Sequence, residues 1–101
     1  MDIIFVGDRE IKKLNQRWFG EKCSTDVITF GSMDDPFAEI YISVDAARRQ
    51  AACRGVPVWQ ELLRLCLHGF AHLEGFGDET PADFCAMRER EWALIARAVG
   101  N

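Results

Sequence analysis

The run from about Pro57 to Glu74 constrains this chain most. It carries Leu62, Leu63, Leu65, Cys66 and Leu67 and is apolar nearly all round. A helix of that kind belongs in the middle of a molecule, with other elements packed on several sides. Gly55 breaks whatever precedes it, and Pro57 suits a first helical turn. His68 and His72 fall in its C-terminal half and are the chain's two histidines. Four residues apart on a helix, they share one face, with side chains about 6 Å apart.

Gly75 stands where such a helix would end, since glycine accepts the left-handed turn that closes one. The turn can bring Asp78 back as a third ligand beside His68 and His72. Two imidazoles and a carboxylate are a common set for a zinc site with an open position. A pair of satisfied cleft histidines before an ordinary turn meets the bare H-x3-H pattern equally well. Gly75 and Asp78 together favour the metal. The spacing also matches the elongated zinc-peptidase signature, except that those enzymes carry a glutamate base directly after the first histidine. Gly69 occupies that place here, which disfavours proteolysis.

The remaining elements follow in order. Ile3 to Val6 reads as a buried strand ended by Gly7, and Asp8 as the cap of a helix running to about Trp18 and closed by Gly20. Thr25 to Phe30 is a second strand, and 31–36 a turn rich in Asp, Ser and Gly. Phe37 to Ser43 alternates, with Ala38, Ile40 and Ile42 set against Phe37, Glu39, Tyr41 and Ser43, as a strand between a core and a cleft or solvent does. Val44 to Arg54 is alanine- and arginine-rich and favours helix, and Thr80 to Asp83 starts a last helix reaching about Val99. The expectation is one α+β domain over residues 1–101, a small mixed sheet packed with about four helices around a metal-binding central helix.

With 101 residues there is room for a single core. No apolar run reaches membrane-span length and no signal peptide is evident, so a cytoplasmic location is expected. Cys23, Cys53, Cys66 and Cys85 are scattered without a C-x-x-C pair and read as reduced. A net charge of −4 argues against a protein that coats nucleic acid, though not against a local basic groove. An ion held by the histidines would polarise a phosphoryl oxygen, which suits phosphodiester hydrolysis. Thr25, Asp26, Glu39 and Ser43, near strand ends, are candidate helpers; turn and strand-edge hydrogen bonding is their plainer role.

Four blocks together resemble the YbeY-type rRNA maturation endoribonucleases. They are Leu14-Asn15 with Trp18; Thr25 to Phe30; Glu39 to Ser43; and His68-Gly-Phe-Ala-His72 with Gly75-Phe76. The resemblance implies an α+β fold and one zinc or similar divalent ion per chain. It also implies action on single-stranded RNA in rRNA maturation and ribosome quality control, with the ribosome or its proteins as partners and no membrane. His68 and His72 fall on the first two ligand positions, and Asp78 on the third, as in the branch that carries aspartate there. Glu39 and Arg17 are the candidate catalytic residues; Lys22, Thr25, Asp26, Ser43 and Arg49 are the candidate substrate contacts. Phe19 stands where the family often has a catalytic arginine, and Ala38-Glu39 where it has Gly-Asp. The chain also begins near the family's second strand, which would expose a sheet edge and invite self-association. Those departures keep two further readings open: a weakly catalytic RNA- or ribosome-binding module with a structural metal, and a zinc hydrolase of another substrate.

Overall fold

The computed structural model describes residues 1–21, 24–75 and positions 85, 86, 89, 90 and 93. The alternation around Ile40 sets the architecture. Strand β3 (Glu39–Ser43) is central in a three-stranded sheet, flanked by β1 (Asp2–Val6) and β2 (Val27–Phe30). β1 runs parallel to it, from Asp2 opposite Glu39 to Val6 opposite Ser43. β2 runs antiparallel, from Val27 opposite Ile42 to Phe30 opposite Glu39. The sheet is therefore mixed, and the fold α+β.

Ala38, Ile40 and Ile42 lie fully buried with Ala47, Leu65 and Leu73, the core between the sheet and helices α2 (Val44–Arg54) and α3 (Val58–Leu73). The alternate residues face the other way. Phe30 and Tyr41 meet edge to face at 5.8 Å, and Trp18 and Phe19 of helix α1 (Asp8–Phe19) lie against Phe30. The sheet thus carries α3 and α2 on one face and α1 on the other. From Glu61 to Leu73 no residue of α3 is exposed, the central helix its composition demands. Gly69 permits its close approach: a Cβ there would lie 2.7 Å from Ile40 Cγ2.

Several expectations need correction. β1 is an edge strand with Ile3 and Phe5 exposed, because α3 packs over β2 and β3 and leaves β1 to one side. β3 starts at Glu39, since the Asp35 carboxylate accepts the Phe37 N–H and holds that residue in the preceding turn. Asp8 does not cap α1. Gly7 is the cap residue, and Asp45 Oδ2, at the start of α2, accepts the Asp8 N–H at 2.9 Å. α1 does end at Gly20, in the left-handed conformation (φ 70°). Three helices are described in full where about four were expected. Of the expected last helix, Cys85, Ala86, Glu89, Arg90 and Ala93 are helical, and its start at Thr80 lies outside the described residues. Cys53, Cys66 and Cys85 are unbridged thiols. No helix among the described residues is long and apolar enough to cross a membrane.

Candidate metal centre and cleft

The histidines sit in the last two turns of α3, and the helix positions them without help from a loop. Their Nε2 atoms converge to 3.1 Å, with the rings perpendicular. Two nitrogens each about 2.0–2.1 Å from one zinc ion stand roughly 3.4 Å apart at the tetrahedral angle. The pair is thus close to the spacing a shared ion requires. His72 belongs to the final turn, where the helix's partial negative charge favours a cation. Gly75 (φ 100°) ends the helix as expected, its N–H donating to the His72 carbonyl. Arg90 pairs with Glu74 through two hydrogen bonds, and the Met33 N–H donates to the Leu73 carbonyl, so the end of α3 is anchored from two directions. Among the described residues no third acidic, cysteine or histidine side chain completes a metal-holding group with the pair, and Asp78 lies outside them.

His72 opens into a cleft of about 280 Å³ lined also by Asn15, Phe19, Thr25, Val27, Ile28 and Thr29. The lining explains its position. Val27, Ile28 and Thr29 are consecutive residues of β2, the outer strand, so the cleft runs along that strand's edge. α1 supplies one wall from one face of the sheet, and α3 the other wall from the opposite face.

The predicted contacts divide sharply. Thr25 lines the cleft. Asp26 adjoins it, accepting from Gln50 Nε2 at 3.1 Å while its carbonyl accepts the Ser43 N–H. Ser43 is fully buried, its hydroxyl donating to Asp8 and accepting from the Ala46 N–H as the cap of α2. The Arg49 guanidinium grips Asp8 with two hydrogen bonds and lies outside the cleft lining. That grip holds the Asp8 carboxyl below its usual range against the opposing effect of desolvation, with the Ser43 hydroxyl assisting. Glu39 lies on the α1 face of the sheet, away from α3, and accepts from the Tyr41 hydroxyl at 3.1 Å. Burial, and then this carboxylate, push the Tyr41 phenol up. Arg17 lies over the Trp18 ring, 5.4 Å from its centre, outside the cleft lining. Lys22 lies outside the described residues.

Asn15, Phe19 and Thr29 are cleft residues that the sequence did not single out as contacts. A signal existed for Asn15. It follows the fully buried Ile11 by four and precedes Phe19 by four, so an amide interrupts the inward stripe of α1.

A sequence profile described as Endoribonuclease YbeY matches residues 1–99. The chain belongs to the YbeY family. Proteins named endoribonuclease YbeY that it resembles include one from Anaeromyxobacter dehalogenans, 41% identical over 99% of this chain and 54% of that protein. Another, from Thermus thermophilus, is 37% identical over 93% of this chain and 73% of that one. The chain spans about half the length of the Anaeromyxobacter relatives it matches. The solution structure of TM1509 from Thermotoga maritima matches 95% of this chain and 70% of that one, with a TM-score of 0.59 and 30% identity. The YbeY resemblance met in the sequence is thus a family relationship, and the α+β fold agrees with it.

Proposed function

We propose that this chain is a metal-dependent endoribonuclease that cuts single-stranded RNA, with ribosomal RNA during ribosome maturation as its substrate. The observation that carries this reading is the His68–His72 pair, its Nε2 atoms 3.1 Å apart, beside a cleft along an open strand edge. Family membership supplies the reaction class. His68 and His72, joined by Asp78, would hold one zinc or similar divalent ion. When bound, the ion supplies Lewis-acid stabilisation of charge developing on a phosphoryl oxygen. The protein's own groups do the rest. The Thr25 and Thr29 hydroxyls line the cleft, Val27 and Ile28 add apolar surface along β2, and Phe19 and Asn15 form the α1 wall.

Phe19 in the cleft wall favours a second reading, an RNA-binding module whose ion only braces the fold, since no arginine stands there to stabilise phosphate charge. One set of measurements separates the two. Metal content is determined for the parent, His72→Ala and Asp78→Ala, beside cleavage of matched single-stranded and duplex RNA. About one ion in the parent, lost in both variants together with single-strand cleavage, supports the nuclease. An ion without cleavage supports the module. No ion after zinc is supplied removes both.

A further inference from the structure

The last turn of α1 carries two large aromatic residues that face water. Trp18 is 59% exposed and Phe19 54% exposed, at the end of a helix whose buried residues are Ile11 and Asn15. Burial elsewhere in the core does not account for them. Both are fixed in place. Phe19 lies nearly parallel to Phe30, with centroids 6.0 Å apart and 18° between planes, and Phe30 is braced edge-on by Trp18 and Tyr41. The Trp18 ring already has the Arg17 guanidinium above it. Phe19, by contrast, lines the cleft that also contains His72, together with Asn15, Thr25 and Thr29.

We infer that Phe19 is a stacking platform for one unpaired nucleobase of the RNA. The inference rests on the nuclease reading above and adds how the strand is held. A preorganised ring with one face supported and the other exposed suits a flat π-system, and every base presents one. Among the described residues lining the cleft there is no lysine or arginine, so the lining favours base contact over phosphate contact. The platform also selects against duplexes, whose base faces are occupied by their neighbours. Phe19 thereby acts in substrate positioning.

The test is binding of a fluorescent, uncleavable 2′-O-methyl oligoadenylate to the full chain. The parent is compared with Phe19→Leu and Phe19→Tyr, each checked by thermal melting. Phe19→Leu keeps apolar bulk without a π-face and is expected to bind about 5- to 150-fold more weakly, with Phe19→Tyr close to the parent. A series of oligonucleotides, each with one abasic position, gives a second readout that needs no variant. One abasic position should weaken the parent's binding by a similar factor and abolish the difference between the parent and Phe19→Leu. If the parent binds and cleaves single strands while Phe19→Leu binds equally well, or no abasic position matters, the platform is wrong and the nuclease stands. If the parent neither binds nor cleaves single strands, the RNA reading falls and the platform with it. If an aromatic peptide displaces the oligonucleotide through Phe19 more tightly than RNA binds, the ring is a protein-docking element and the inference is overturned.

Discussion

A methyl group at residue 69 has nowhere to go. It would meet Ile40 Cγ2 at 2.7 Å and Val27 Cγ1 at 3.4 Å, both fixed in the sheet beneath α3. Gly69→Ala should therefore destabilise the protein by about 1–3 kcal/mol, the range for overpacking a filled core, as read by denaturant unfolding. An unchanged midpoint would show that α3 lifts off the sheet without cost. The same contact disfavours a glutamate at this position, since any side chain here meets the sheet at its first carbon. Asp8 gives a prediction of a different kind. Arg49, with Ser43, holds its carboxyl below the ordinary value, so the folded form binds a proton less readily than the unfolded chain. That stabilisation is present above the unfolded pKa, about 4, and fades as pH falls through the lower folded value. Asp8→Asn should melt below the parent at pH 7 and converge with it in strong acid. Equal melting temperatures at both pH values would show that the Asp8–Arg49 pair contributes nothing.

At the scale of elements, α3 is held in place by one buried carboxylate. Glu61 is 2% exposed, accepts from Arg64 Nε at 2.6 Å and lies 3.8 Å from Arg54. Arg64 continues to Gln50, and Gln50 to Asp26, which ties α3 through α2 to the start of β2 beside the cleft. Glu61→Ala would leave the sheltered guanidinium of Arg64 without its anion, at a cost of about 3–5 kcal/mol. Glu61→Gln keeps a hydrogen-bond acceptor and should cost less. Equilibrium unfolding of both variants checks the order, and an equal, small loss would mean the network is ornamental. Little of this was legible in the sequence. The bounds of α2 were, because the alanine- and arginine-rich run ends at a glycine that takes up a left-handed φ of 67°. So was the enclosure of α3, from its leucines. Glu61 carried no signal in the sequence, and the packing of α2 along α3 after the turn through Gly55 and Pro57 buries it. The period-two pattern of β3 separated Glu39 from Ile40 correctly, but periodicity does not say which helix covers which face. Glu39, named as a catalytic candidate near a strand end, lies on the sheet face that α1 covers. Ser43 and Arg49 were named as candidate contacts, and the cap and ion pair they form were not legible, because polar groups at strand and helix ends serve either role.

Across the whole molecule, the cleft exists because two helices on opposite faces of a thin sheet both reach past the same edge strand. α1 brings Phe19 and Asn15, α3 brings His72, and β2 supplies the floor between them. This geometry joins groups more than fifty residues apart without burying a long loop. It also sets the electrostatics of any RNA complex. The chain carries a net charge of −4, two of its twelve basic residues, Arg17 and Arg49, are turned to Trp18 and Asp8, and the described cleft lining has neither lysine nor arginine. A strand held in this cleft meets few cations and has few phosphates neutralised. For single strands the slope of log affinity against log salt is about −0.7 per phosphate neutralised, so about two contacts give a slope near −1.4. Affinity for a single-stranded oligonucleotide should then fall by less than about tenfold between roughly 50 and 200 mM salt, far less than for a protein that grips the backbone with many cations. Binding isotherms across that range decide the matter. A slope near −1.4, unchanged in Arg49→Gln, fits a strand held by stacking and cleft hydrogen bonds. A slope steeper than about −3 would place the main contacts on a cationic surface elsewhere and remove the cleft from the centre of recognition.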